Sequence, residues 1–511
     1  MGFTPGNKRI MIQFACLSGI YPFVNGRRSD YNQRRWLSYE KLRIRHWVPS
    51  AFFSCFILHF GPGVMVVLKR LFSISGWSPP RILVTGFALI VLLGGLLLSM
   101  PFATADGQGQ RYLHGVFEAT SATTVTGLVL VDTGTFYSMP GQIILMLLIQ
   151  IGGIGFMTMA TLFALVLRRK ISLRERLILQ EAMNQSSMEG IVRLIRRVVF
   201  YSLAIEAAGM LLFTARFVVD MPLAQAAYYG LFHSVSLFNN AGFDIFGDFR
   251  SFTPYVDDPV VNLISIGLII LGGLGFIVLS DLLDYRKTRR LTLHSKVVLS
   301  MSAALIVIGT AVIFIFEYTK TLYPLGWDGK IWASLFQSVS ARSAGSNTLV
   351  VAELRQATQF FIVMLMFIGA SPGSAGGGIK TTTFTVLIGA VLAMIRGKED
   401  IVLFKQRLAR ERIYKALTIT MLSLALVITV TMILSAVEDR QFIRLLFETV
   451  SAFSTAGLDT GLTRQLSDFG KTVICLTMFI GRVGPLTLAY ALGPRTEKEL
   501  YRHPEGKMII G

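Results

Sequence analysis

Phe117-Glu-Ala-Thr-Ser-Ala-Thr-Thr-Val-Thr-Gly127 is the first of four versions of one phrase. The others are Phe232-His-Ser-Val-Ser-Leu-Phe-Asn-Asn-Ala-Gly242, Phe336-Gln-Ser-Val-Ser-Ala-Arg-Ser-Ala-Gly345 and Phe447-Glu-Thr-Val-Ser-Ala-Phe-Ser-Thr-Ala-Gly457. Each opens on Phe, carries Ser four positions later (Ser121, Ser236, Ser340, Ser451) and closes on Gly. The Phe-to-Gly spacing is 10, 10, 9 and 10 residues, so the third copy is one shorter. Each copy lies between two strongly apolar segments. A small-residue turn after a short helix, between membrane spans, is what a cation filter of backbone carbonyls requires. Glycine suits the closing position because it lacks Cβ and tolerates positive φ. One copy alone would favour a re-entrant loop that merely packs; four in matching positions favour a filter. The candidate filter residues are Thr123, Thr124, Val125, Thr126 and Gly127; Asn239, Asn240, Ala241 and Gly242; Arg342, Ser343, Ala344 and Gly345; and Ser454, Thr455, Ala456 and Gly457.

Outward from these phrases, composition agrees. Of 511 residues 53% are hydrophobic and only 15% charged, the balance of an all-α polytopic membrane protein in contact with lipid. The net charge of +19 raises nucleic acid as a partner, but the charges fall in loops between apolar runs. No basic domain is present to hold a duplex, so no nucleic acid is expected. Three cysteines (Cys16, Cys55, Cys475) make no disulfide framework, and the six histidines lack metal-ligand spacing. No catalytic constellation emerges, and the chain does not read as an enzyme.

Residues 1–64 do not resemble the rest: nine Lys/Arg face two acids, and the apolar run Trp47 to Val67 is broken by Pro49, His59, Pro62 and Gly63. The expectation is an N-terminal extension or disordered tail, with a natural start at Met65. From Ile82 the spans come in pairs around the phrases. Ile82–Met100 is 19 residues without a charge, enough for about 30 Å of hydrocarbon. The other expected spans are Gly141–Leu167, Val198–Val219, Val260–Ser280, Val297–Phe316, Phe360–Ile395, Ile413–Val437 and Thr472–Leu492. The second span of each pair repeats too: Ile-Gly-Gly-Ile-Gly-Phe (151–156), Leu-Gly-Gly-Leu-Gly-Phe (271–276), Ile-Gly-Ala-Ser-Pro-Gly (368–373) and Ile-Gly-Arg-Val-Gly-Pro (480–485). These glycines also permit close helix approach. The predicted unit is span, pore helix, filter turn, span, used four times around a central pore: 65–167, 168–281, 282–395 and 396–511.

Charge orients the unit. Arg168–Arg197 holds eight Lys/Arg, Arg286–Lys296 five and Arg396–Arg412 six, and the tail adds Arg495, Lys498, Arg502 and Lys507. The stretches beside the phrases are sparse or acidic (Asp132, Asp220, Asp244, Asp248, Asp257, Asp258). Basic loops are therefore expected in the cytoplasm, with both termini inside and the filters facing out.

The third unit's last span is interrupted by Gly369-Ala-Ser-Pro-Gly-Ser-Ala-Gly-Gly-Gly378. Pro372 removes a donor, and Gly369, Gly373, Gly376, Gly377 and Gly378 weaken helix propensity. Non-helical backbone at membrane depth is tolerated where protein or a watery cavity satisfies it. The reading is a gate loop, 369–380, below the filter, with Ser371, Ser374, Thr381 and Thr382 supplying hydroxyls; a passive kink is the alternative. The stretch imitates a phosphate-binding loop, but Ile379 separates Gly378 from Lys380, and no strand precedes it. Arg482, in the place of Gly153, Gly273 and Ala370, is a charge in mid-membrane: a barrier to cations or a clamp between spans. Glu206, also intramembrane, reads as a structural partner behind the pore.

The chain resembles the Trk/Ktr/HKT superfamily of potassium transporters, and within it the Ktr-type membrane subunits, over roughly 70–511. The resemblance rests on Thr-Thr-Val-Thr-Gly-Leu (123–128), Asn-Asn-Ala-Gly-Phe-Asp (239–244), Ser-Pro-Gly-Ser-Ala-Gly-Gly-Gly-Ile-Lys-Thr-Thr-Thr (371–383) and Gly-Arg-Val-Gly-Pro-Leu-Thr (481–487). It implies a single-chain version of a tetrameric potassium channel that dimerises, takes K+ up across a bacterial cytoplasmic membrane and responds to Na+. It also implies an octameric cytosolic ring of nucleotide-binding regulatory subunits as partner. Ser346 departs from the aromatic expected after the third filter glycine. Two other functions stay open: a sodium-conducting member, against which Gly127 speaks because such relatives put Ser there, and the ion-translocating subunit of an ATPase-driven pump.

Overall fold

The computed structural model describes residues 79–155, 158, 177 and 191–492. The extension 1–64, the start at Met65, the basic tail and most of 156–190 lie outside the described residues.

One order of helices recurs. A long helix leads, a shorter one carries the phrase, and a turn and linker return the chain to a helix that breaks partway. In the first unit these are α1 (Pro79–Ser99), α2 (Tyr112–Thr124), the single-turn α3 (Thr133–Phe136) and α4 (Met139–Ile154). The second has α5 (Ile191–Phe217), α6 (Leu223–Phe238), α7 (Pro259–Leu274) and α8 (Phe276–Thr288). The third has α9 (Leu293–Glu317), α10 (Trp327–Ser340), α11 (Gln356–Ile368) and α12 (Thr381–Ile395). The fourth has α13 (Arg410–Val437), α14 (Phe442–Phe453), α15 (Asp468–Val483) and α16 (Pro485–Leu492). Between α12 and α13 a two-residue antiparallel pair joins Val402–Leu403 to Gln406–Arg407.

Local chemistry sets the starts of the returning helices. Ser138, Asp258 and Ser467 cap α4, α7 and α15, accepting first-turn N–H groups that have no partner inside the helix. Among the described residues four helices are long and apolar enough to cross a bilayer: Pro80–Ser99, Leu194–Phe217, Leu293–Glu317 and Arg410–Val437. These are the leading helices. Leu89, Leu92, Leu93 and Leu96 on α1 stay exposed, as a lipid-facing surface requires. The phrase helices are buried instead, with Phe117, Phe232, Phe336 and Phe447 at most 1% exposed. Lipid offers little hydrophobic drive between helices, so close packing and hydrogen bonds must hold this core.

The returning helices depart from the sequence reading. Val260–Ser280 and Thr472–Leu492, expected as continuous spans, bend by 100° and 90° at Gly275 and Gly484. Their torsions (φ 93, ψ 142 and φ 90, ψ 133) lie far outside the helical region. Gly155, at φ 89 and ψ 130, ends α4 in the same way, inside the expected span Gly141–Leu167. The break anticipated only in the third unit therefore has counterparts in the others. The basic stretch Arg286–Lys296, expected as a loop, is helical as far as Thr288 and again from Leu293.

Candidate functional site

The four turns share one backbone. Two residues before each closing glycine stands a residue at positive φ: Val125 (59), Asn240 (57), Ser343 (85) and Thr455 (48). The glycines follow at φ 94, 71, 77 and 78. Side-chain-bearing residues pay for left-handed torsions, so all four are held there by their surroundings. The hold is visible. The N–H before each glycine (Thr126, Ala241, Ala344, Ala456) returns to the carbonyl of the phrase serine, Ser121, Ser236, Ser340 or Ser451, at 2.8, 2.8, 3.0 and 2.8 Å. The third copy reaches the same acceptor with one residue fewer, which accommodates its shorter spacing.

Serine hydroxyls add to this in three copies. Ser121 Oγ accepts from Gly127 N at 3.0 Å, Ser236 Oγ donates to the Phe243 carbonyl at 2.6 Å, and Ser340 Oγ donates to that of Ser346. Because the last bond uses main chain, the side chain of Ser346 is irrelevant to it. The residue after Phe is a second clamp that the sequence reading passed over. Glu118 accepts from Leu130 N at 2.6 Å, His233 Nε2 from Ile245 N at 3.4 Å, and Glu448 from Thr460 N at 3.1 Å. Each partner lies three residues past the closing glycine. The signal was a polar residue after Phe in all four phrases (Glu118, His233, Gln337, Glu448).

The turns meet in a ring. A Cβ at Gly127 would strike the Ala241 carbonyl, one at Gly242 that of Ala344, one at Gly345 that of Ala456, and one at Gly457 that of Thr126, each closer than 3.0 Å. The turn N–H groups named above point back to their own helices, so main-chain oxygens are what the turns offer one another and any ion between them. The side chains at the third position before the glycine turn away from the ring. Arg342 donates to the Ser302 carbonyl (3.3 Å) and hydroxyl (3.1 Å). Asn239 donates to Glu206 (3.0 Å) and Gln150 (2.9 Å), and Gln150 also donates to Glu206. Thr124 and Ser454 bond back to their own helices.

The 369–380 loop is tied to every unit. Ser371 N and Phe276 N bond the Gly273 and Gly373 carbonyls at 3.1 and 2.9 Å, joining it to the break between α7 and α8. Arg482 donates to the Ala375 carbonyl and also to those of Gly152 and Gly153 on α4. Lys380 Nζ holds the Gly376 carbonyl. Ser374 Oγ donates to the Ser371 carbonyl, and Thr381 Oγ1 to Ser371 Oγ, so these hydroxyls are used within the loop. Gly376 and Gly377 press on the turns: a Cβ at the former would lie 2.7 Å from Ser343 Oγ, at the latter 2.6 Å from the Ser454 carbonyl.

Residues 82–494 match the family model TrkH, described as a cation transport protein. The chain belongs to this family. It is 41% identical over 437 residues to the Ktr system potassium uptake protein B of Bacillus subtilis, covering 85% of this chain and 97% of that protein. It is 36% identical over 444 residues to the potassium/sodium uptake protein NtpJ of Enterococcus hirae, covering 85% and 97%. The crystal structure of the potassium transporter TrkH from Vibrio parahaemolyticus superposes with a TM-score of 0.63 at 18% identity, over 80% of this chain and 85% of that one. That likeness establishes the fold. As a member of the TrkH cation transport family the chain is a membrane transporter and not an enzyme.

Proposed function

We propose that this TrkH-family chain is the membrane subunit of a potassium uptake system. Eight spans in four repeats (65–167, 168–281, 282–395, 396–511) surround one pore, with the turns at 123–127, 239–242, 342–345 and 454–457 as selectivity filter. The ring of glycines abutting neighbouring carbonyls supports this reading, because it brings a main-chain oxygen of each turn beside the next, and a filter replaces the ion's hydration shell with main-chain oxygens. The loop 369–380 beneath it, held by Lys380 and Arg482, is the gate, and the ion passes down its electrochemical gradient. The basic loops face the cytoplasm, where a ring of nucleotide-binding regulatory subunits biases the gate. The working form is a homodimer stimulated by Na+.

Fluxes of K+ and Na+ in proteoliposomes, with and without the regulatory ring and with no ATP, test the whole. K+ uptake without an ATPase removes the pump alternative. Sodium conduction is the second reading, favoured by the potassium/sodium relative from Enterococcus hirae. Gly127→Ser separates the two: its Cβ meets the Ala241 carbonyl, so preference for K+ over Na+ should fall on the order of tenfold. Unchanged relative uptake would remove Gly127 from the filter.

A further inference from the structure

Ser343 belongs to the third turn, yet its hydroxyl bonds outside it on two sides. It accepts from Gly377 N, in the 369–380 loop, at 3.0 Å. It donates to the Thr455 carbonyl, in the fourth turn, at 2.9 Å, with the Ser454 carbonyl farther off at 3.4 Å. Ser343 and Thr455 are both fully buried. A hydroxyl has one hydrogen and two lone pairs, so Ser343 Oγ can accept from the loop on a lone pair while its single hydrogen goes to the fourth turn. One hydroxyl therefore joins the loop to the fourth turn, with the Thr455 carbonyl as the nearer acceptor. A carbonyl that accepts a hydrogen bond gives less electron density to a cation.

We infer that Ser343 is a positioning residue that couples the loop to the filter, so that ion preference and gate position shift together. This rests on the filter and gate assignment above. When Gly377 withdraws, the hydroxyl is released, and the field that Thr455 presents to the ion changes. The coupling is reciprocal: an ion that draws on the Thr455 carbonyl biases the loop by the same factor.

The test uses the full chain with its regulatory ring in proteoliposomes. Ser343→Ala and Ser343→Gly should both raise uptake without the ring and both lower the K+/Na+ ratio, each by about 3- to 10-fold, the range for one buried hydrogen bond. Ser343→Cys, a weak donor of similar size, should fall between them and the parent. Ala keeps the strain of φ 85 whereas Gly relieves it, so equal effects identify the hydroxyl. A change in one readout without the other, or unlike effects of Ala and Gly, overturns the coupling. A measurement on an intact Ser343 guards against loss of fold. With Cys16, Cys55 and Cys475 replaced by Ser, the thiol-labelling rate of Ser374→Cys should differ severalfold between saturating K+ and Na+; equal rates overturn the inference. Gly127→Ser tests the filter through the K+/Na+ ratio, and removal of Ser374–Gly378 tests the gate through uptake without the ring; because the removal takes Gly377 away, the coupling also requires it to lower the K+/Na+ ratio. If those two behave as expected and the Ser343 experiments do not, the coupling alone fails; if they too fail, the underlying assignment falls.

Discussion

The second and third units interrupt their returning helix in two different ways. In the second, Gly275 alone separates α7 from α8, and the chain turns through 100°. In the third, residues 369–380 intervene before α12 begins. The last of them, Lys380, has φ 80 and ψ 139, close to the 93 and 142 of Gly275, and helix follows immediately in both. The third unit thus keeps the hinge and inserts a loop before it. A one-residue hinge can change only by swinging a whole packed helix about its two torsions. A loop held by discrete bonds from Arg482, Lys380 and Ser343 has a second arrangement whenever those bonds are exchanged.

The largest effect should come from removing the extra element. Deleting Ser374–Gly378 leaves both helices and the hinge, and K+ uptake without the regulatory ring should rise on the order of 100-fold, the size of a closed-to-open population shift. Abolished flux in a folded protein, or full dependence on the ring, would show that the insertion is not the gate. Next is the clamp. Arg482→Ala frees the Ala375 carbonyl and should raise ring-independent uptake roughly tenfold, as expected for charged hydrogen bonds. Normal yield with reduced flux would contradict that role.

The smallest effect on flux is expected at the hinge itself. At Gly275 a Cβ would sit 2.6 Å from the Pro372 carbonyl on a backbone at φ 93. Gly275→Ala should lower Tm by a few degrees, for a strain of about 1–3 kcal/mol, while uptake still depends on the ring. Uptake freed from the ring in this variant would mean that hinge and loop move as one element, erasing the distinction between them.

Much of this was legible in the sequence, and the limits are physical. The phrases Phe117–Gly127 and its copies disclosed the repeat, because Phe, Ser and Gly recur at fixed spacing. The loop showed itself because Pro372 and five glycines leave no helical alternative. The hinges did not. Gly152 and Gly155 are three positions apart in one apolar run, yet the first packs against the Thr123 backbone inside a helix and the second ends it. Glycine serves both purposes, and only torsion separates them. Ser343 was legible as a turn residue but not as a bridge, since its partners lie 34 and 112 positions away. Arg342 was grouped with the turn, and its backbone is there; its guanidinium bonds Ser302, on α9.

The ring of glycines and carbonyls closes within one polypeptide, and this changes how the ring can vary. In a ring of four identical subunits, any substitution is imposed on all four quadrants at once. Here a change is made once. The turn that is one residue short, Arg342 behind it and the 369–380 loop all fall in the third quadrant and are not repeated in the second or fourth. A loop lodged in one quarter is an asymmetry open to a chain that folds its own ring.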